Sequence, residues 1–169
     1  MKASAFLIRI WRILSLLGFV FSLFNSYISY PGQVAVRFDS TGYAVQYISR
    51  ETLFYIAVLI FLLTNVLIGA VSRLFPRIPT ERLPIPNAAV WAAHRPQLNT
   101  IVTNWFSALR SAVNTILALG LMVLSFLNRS NHAPEDRDYA WLLPLSTVIL
   151  VSVLAGLPIR LFMKPSTDD

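Results

Sequence analysis

The chain has 169 residues, of which 56% are hydrophobic and only 13% are charged, whereas soluble domains are nearer to about 25% charged. This composition is typical of a membrane protein, and the length allows one membrane domain. The sequence contains no cysteine, which excludes disulfides, thiolate zinc sites and cysteine nucleophiles.

Four long apolar stretches predict four transmembrane helices, at about residues 6–28, 52–74, 103–127 and 140–163. Each approaches or exceeds the roughly 20 residues that a helix needs to cross a hydrocarbon core. The first stretch is longer than the apolar region of a secretory signal, so we expect an uncleaved span. The predicted fold is an all-α membrane protein with a single polytopic domain over residues 1–169.

The charged residues are distributed unevenly between the two sides of such a bundle. If the N-terminus is cytoplasmic, the inner side holds ten of the fourteen basic residues, namely Lys2, Arg9, Arg12, Arg73, Arg77, Arg82, Arg95, Arg110, Arg160 and Lys164. This bias follows the positive-inside rule and predicts that both termini are cytoplasmic. The net charge of +6 then reflects topology and contact with anionic lipids, and we expect no nucleic-acid partner.

The loop after the first span has the pattern of a small extracytoplasmic β-hairpin. Residues 34–38 and 43–48 favour strands, and the turn between them runs from Asp39 to Gly42, where glycine allows a positive φ. Ser49 is predicted to cap the second span. Because a lone hairpin is marginally stable in water, it must rest on the helix ends or on a partner.

Five prolines between residues 76 and 96 exclude a continuous helix in the next, inner loop. Residues 87–94 predict one short interfacial turn, with Asn87 as its cap and Trp91 at the lipid headgroups. The third helix is predicted to begin near Gln97 and to enter the bilayer near Trp105.

Few polar side chains interrupt the spans. Asn65, Asn104 and Asn114 are predicted to form hydrogen bonds between helices. Arg110 is predicted to extend to the inner interface, and the alternative is an ion pair or a lipid-phosphate site in a groove of the bundle. Small residues that predict close helix packing are Ser152 with Gly156 and Ala108 with Ala112.

Residues that carry catalytic chemistry are sparse. His94 and His132 are predicted on opposite sides of the membrane, where they cannot share a metal ion, and the predicted spans contain no acidic residue. Coupled transporters and intramembrane enzymes usually depend on such buried groups. We therefore predict no enzymatic activity, no catalytic residue, no metal and no cofactor.

Two loop motifs together resemble a bacterial family. The stretch YPGQVAVRFDSTG at residues 30–42 is similar to the pattern after the first span in the uncharacterised N-terminal membrane domain of SdpI-type immunity proteins, and IPNAAVW at residues 85–91 is similar to its motif before the third helix. The order of the motifs agrees over about residues 10–127. Two positions differ, since Arg37 stands where the family usually has histidine and Val90 where it has tyrosine.

The resemblance implies a polytopic bacterial inner-membrane protein. In the named branch it implies immunity against a secreted membrane-active peptide, and ligand sensing coupled to a repressor. We therefore expect a non-enzymatic sensor or immunity protein that acts through its outer hairpin and its proline-rich inner loop. The alternative is a small accessory subunit of a larger membrane complex.

Both hypotheses imply other membrane proteins and membrane lipids as partners. The candidate partner or ligand contacts are Arg37, Phe38, Asp39, Gly42, Pro86, Asn87 and Trp91, and the candidate lipid headgroup contact is Arg110.

Overall fold

The computed structural model describes residues 2–39, 43–129, 141–163 and 165. In chain order the elements are helix α1 (Lys2–Ser29), strands β1 (Gln33–Phe38) and β2 (Ala44–Ser49), helix α2 (Arg50–Leu74), two 3-10 turns (Phe75–Arg77 and Thr80–Arg82), and helices α3 (Ala88–Ala93), α4 (Arg95–Arg129) and α5 (Leu142–Phe162). Helices α1, α2, α4 and α5 are each long and apolar enough to cross a membrane. The prediction of a four-helix membrane protein with a small hairpin after the first helix is thus confirmed.

Helix α4 lies at the centre of the bundle and packs against each of the other three long helices. It runs parallel to α1, because Trp11 bonds Thr115 and Ser26 bonds Leu121 further along both helices. Helices α2 and α5 run the opposite way. The hairpin therefore lies at one end of the bundle, while the proline-rich loop, the start of α1 and the end of α5 lie at the other.

The interface between α1 and α4 is built from small and weakly polar side chains. The buried small residues of these two helices include Ser15, Ser22 and Ser26 on α1, and Ser107, Ser111, Ala112, Ala118 and Ser125 on α4. Most of the bonded hydroxyls return to a carbonyl of their own helix, as Ser111 does to Ser107 at 2.9 Å. Small side chains let two helix backbones approach closely in lipid.

The small-residue prediction is correct in part. Ala112 is fully buried, whereas Gly156 is exposed and nothing lies within 4 Å of where its Cβ would be. Ser152, Gly156 and Ala108 instead line an open groove between α1, α4 and α5. The closely packed faces of α1 and α4 are rich in serine. Such faces lack the contrast in hydropathy that makes a packing stripe recognisable in a sequence.

Two apolar clusters stabilise the two halves of the bundle. Near the hairpin, Phe19 and Leu23 pack with residues of α2 and α4, and the Phe19 ring stacks on Phe61 with centroids 4.3 Å apart. At the opposite end, Trp91 and Leu161 pack with the first turns of α4. Outside these clusters, the most apolar segments of α2 and α5 contain almost no fully buried residue, and their side chains are half-buried or exposed, as expected when lipid replaces a protein core.

Candidate functional site

The hairpin has an irregular antiparallel register. Gln33 pairs with Ser49 and Phe38 with Ala44, and the ladder shifts on either side of Arg37. The Asp39 backbone N–H donates to Tyr43 O at 2.9 Å, and the Tyr43 N–H donates to Asp39 Oδ1 at 2.9 Å. Asp39 and Tyr43 therefore bond each other on either side of the predicted turn, and aspartate commonly bonds the backbone in this way beside turns; Gly42 lies outside the described residues.

Asn128 docks the hairpin on α4. Asn128 Oδ1 accepts from the backbone N–H of Ala35 at 2.8 Å, and its Nδ2 donates to the Ala35 carbonyl at 3.1 Å. The side-chain amide thus pairs with β1 as the backbone of a third strand would. Val34 and Ala35 are buried, and β1 contacts α2 and α4. Of the two predicted supports, the helix ends or a partner, the helix ends are therefore present.

A second contact joins this end of α1 to α4. The Tyr30 hydroxyl donates to Leu121 O at 2.9 Å, and Ser26 Oγ donates to the same carbonyl at 3.1 Å. Burial raises the pKa of Tyr30, an effect that its hydrogen bond with Ser26 partly opposes. The neutral phenol therefore remains the donor at physiological pH.

The opposite face of the hairpin is open to the surroundings. Tyr43, which directly precedes β2, and Val45 and Tyr47 within β2 are 65%, 55% and 55% exposed. Arg37 and Asp39 are also exposed, whereas Phe38 is half-buried. These exposed side chains follow one another closely in the chain, so the two tyrosines and the valine form an aromatic strip along β2.

The junction of the hairpin with α2 is fixed by capping and by charge. Ser49 Oγ accepts from the Thr52 N–H at 3.1 Å, which confirms the predicted cap. The Arg50 N–H donates to Gly32 O at 3.1 Å, and the Arg50 guanidinium lies over the Tyr27 ring at 4.7 Å. These contacts connect the hairpin to both α1 and α2.

At the other end of the bundle, Arg95 organises the proline-rich loop. Its Nη1 donates to Thr80 Oγ1 at 2.9 Å, and its Nη2 donates to Ile78 O at 2.6 Å and to Phe75 O at 3.2 Å. The planar guanidinium presents several donors in a fixed fork. A loop that has lost helical hydrogen bonds to proline is thereby held by the first residue of α4.

Two expectations for this loop need correction. Asn87 precedes α3 with a left-handed backbone (φ 55°, ψ 40°), and its side chain makes no capping hydrogen bond. Trp91 is not at an interface, because it is 0% exposed and its Nε1 donates to Leu161 O at 3.2 Å. Asparagine tolerates the left-handed region, so the motif at residues 85–91 serves the path of the loop and its packing on α5. Pro86 is half-buried beside it.

Asparagines join α2 to α4 near the middle of the bundle. Asn65 Nδ2 donates to Asn114 Oδ1 at 2.8 Å, and Asn114 Nδ2 lies 3.4 Å from Asn65 Oδ1. This confirms the interhelical role predicted for the pair. Asn104 instead lines the open groove between α1, α4 and α5, a space of about 430 Å³, where Trp105 Nε1 donates to Val153 O at 2.7 Å.

The described residues bring together no group of three histidine, aspartate or glutamate side chains that could hold a metal ion. His94 is exposed, with its Nδ1 3.1 Å from Val90 O, and His132 lies outside the described residues. Comparison of the chain with family models, with curated proteins and with solved structures finds no match.

Two polar residues that organise the ends of the bundle are not among the candidate contacts from the sequence. Asn128 and Arg95 lie at opposite ends of α4, which makes one helix the link between hairpin and loop. The separation of 33 residues corresponds to roughly 50 Å along an α-helix. Each position looks ordinary in the sequence, where a polar residue is expected at a helix end.

Proposed function

We propose that this chain is a non-enzymatic membrane sensor or immunity protein of the SdpI-like type. The hairpin receives an extracellular ligand, and the proline-rich loop contacts a partner on the cytoplasmic side. The proposal includes the bacterial inner membrane as the location and the cytoplasmic placement of both termini, which the charge distribution supports.

The observation that carries the proposal is the connection through α4. Asn128 bonds the backbone of β1, and Arg95 at the other end of the same helix bonds three groups of the proline-rich loop. A displacement of the hairpin therefore acts directly on the helix that holds the loop. Sensors need such a contiguous connection between two distinct surfaces.

The hairpin also has the surface of a binding element. Its edge strand exposes Tyr43, Val45 and Tyr47, and tyrosine combines apolar area with a polar tip. An exposed edge strand accepts an extended peptide by adding to the sheet. A secreted peptide, which the family resemblance implies as the ligand, fits this surface.

Topology is tested first, because the chain lacks cysteine and single cysteines can be placed freely. Val45→Cys on the hairpin should react with a membrane-impermeant maleimide in intact cells. Ala92→Cys, beside the proline-rich loop, should react only after the membrane is opened. The reverse pattern would contradict the proposed orientation.

The function is tested by deleting the gene and measuring survival against membrane-active peptides from competing strains. Wild-type protein should restore survival, and the triple variant Y43S/V45S/Y47S should reach the membrane without restoring it. The matched control is Tyr55→Ser, which removes an exposed tyrosine from α2 at the same end of the bundle. Full protection by the triple variant would refute a ligand role for the hairpin.

The exposed flanks of α2 and α5 favour a second candidate, an accessory subunit of a larger complex. Only 6% of the most apolar segment of α2 and 0% of that of α5 is buried, which leaves two faces for other membrane helices. Native mass measurement after gentle detergent extraction separates the candidates. A large complex of fixed stoichiometry supports the subunit, and a monomer or small homo-oligomer supports the sensor.

A further inference from the structure

Three arginines from three helices converge at the end of the bundle opposite the hairpin. Arg110 lies half-buried on α4 with its Nη1 beside Gly69 of α2, and Arg73 follows Gly69 by one helical turn on the same face. Arg12 follows Trp11, whose Nε1 donates to Thr115 of α4, and the charges of Arg12 and Arg73 both act on Arg110. Arg12 and Arg73 are exposed. The cluster is therefore a partly buried cation with two more accessible cations beside it.

The position of Arg110 leaves one of its donors without a protein partner. A Cβ on Gly69 of α2 would lie 3.8 Å from Arg110 Nη1, so the guanidinium lies close to the surface of the neighbouring helix. Arg110 Nε is buried and has no hydrogen-bond partner in the described structure. A buried donor that is left unpaired is unfavourable.

Charge compensation for Arg110 is also missing from the described part of the chain. The charged groups that act on Arg110 there are the two arginines, and both repel it. The ion pair between Arg50 and Glu51 lies at the opposite end of the bundle. Because like charges in a partly dry site are mutually unfavourable, an external anion would stabilise the cluster.

The two exposed arginines lie near the ends of their candidate spans. Arg12 lies seven residues after the start of the first candidate span, and Arg73 lies four residues before the end of the second. At 1.5 Å per residue these positions are about 10 Å and 6 Å inside the span ends. Arginine side chains bridge such distances to the phosphate level by extending along the helix.

The neighbouring side chains favour a lipid as the source of the anion. Ile13, next to Arg12, is 54% exposed, and Leu74, next to Arg73, is 52% exposed. These apolar flanks suit acyl chains, and the guanidinium fork suits phosphate oxygens. We propose that Arg12, Arg73 and Arg110 jointly bind one phosphate group, which the headgroup of an anionic membrane lipid supplies.

The proposal is tested with the full chain purified in mild detergent. Native mass spectrometry and thermal unfolding are followed while cardiolipin, phosphatidylglycerol or phosphatidylcholine is added. We expect bound anionic lipid and a raised midpoint of unfolding with cardiolipin or phosphatidylglycerol, and neither effect with phosphatidylcholine. Equal effects of all three lipids would overturn the proposal.

Variants assign the effect to the cluster. Each of R12Q, R73Q and R110Q should weaken anionic-lipid binding about tenfold, the ratio expected for the loss of one charge-assisted contact. The matched control is Arg37→Gln, which removes one exposed positive charge from the hairpin at the opposite end. Equal weakening in the control would show that general charge, rather than the cluster, attracts the lipid.

Two further measurements keep the test decisive. If Arg110→Gln fails to fold, the exposed positions Arg12 and Arg73 still report on the site, and unchanged binding in both would overturn it. The same unfolding measurement with inorganic phosphate alone shows whether the phosphate group comes from a lipid or from solution. If phosphate raises the midpoint of unfolding as much as the lipid does, and this effect disappears in R12Q and R73Q, the result would support a phosphate site at the cluster and would identify its ligand as soluble phosphate instead of a lipid.

Discussion

The docking of the hairpin on Asn128 leads to a quantitative prediction for Asn128→Ala. The substitution removes the bonds to the Ala35 N–H at 2.8 Å and to the Ala35 carbonyl at 3.1 Å. Two such bonds contribute about 2 kcal/mol, and the unsatisfied amide of buried Ala35 raises the cost to about 3 kcal/mol. This energy corresponds to a roughly hundredfold increase in the equilibrium constant for hairpin opening.

The assay uses a cysteine at Val34, which is 0% exposed in the docked hairpin. A thiol there reacts only when the hairpin opens, so its labelling rate reports the opening equilibrium. In the Val34→Cys background, Asn128→Ala should raise the labelling rate about a hundredfold, as expected from the loss of about 3 kcal/mol. Asn128→Asp keeps only the hydrogen-bond acceptor and should give a smaller increase. Asn104→Ala serves as the control, since Asn104 lies on the same helix but away from the hairpin. An unchanged rate in Asn128→Ala would refute the docking argument.

Three further predictions concern other polar contacts. Arg95→Ala should release the proline-rich loop, so that trypsin cleaves after Arg82 at least about tenfold faster than in the wild type, given the several hydrogen bonds lost. A double-mutant cycle between Asn65→Ala and Asn114→Ala, measured by unfolding in bicelles, should give a coupling of about 0.5–1.5 kcal/mol, and additive effects would contradict the pairing. Burial raises the pKa of Tyr30 in the folded protein. The neutral Tyr30 side chain therefore stabilises the fold below the ordinary tyrosine pKa of about 10, and this stabilisation is lost as pH rises through the raised pKa of the folded state. Absorbance at 295 nm should show a late-titrating tyrosine that is absent from Tyr30→Phe.

The features that could be predicted from the sequence depend on short stretches of chain. Hydropathy over about 20 residues locates a span without knowledge of its neighbours, and the four spans are present. The hairpin and the cap at Ser49 are local in the same sense, because Asp39 and Thr52 lie within four residues of their partners. Such signals do not depend on how the helices pack.

The contacts that organise the ends of the bundle could not be predicted in this way. Asn128 bonds a residue 93 positions earlier in the chain, so nothing near it in the sequence indicates its role. Trp91 is a residue type typical of membrane interfaces, yet it is fully buried among residues of the proline-rich loop, α4 and α5. The arginine cluster likewise exists only because the packing of α1, α2 and α4 brings distant positions together.

The central position of α4 also constrains the order in which the protein is assembled. Helices α1 and α2 leave the ribosome first and can join through the stacked rings of Phe19 and Phe61. Their polar groups, however, have partners on α4, as Ser26 does with Leu121 and Asn65 with Asn114. During synthesis these groups face lipid or the insertion machinery until α4 arrives. Helix α5 then completes the bundle, because its Val153 and Leu161 carbonyls accept hydrogen bonds from Trp105 and Trp91.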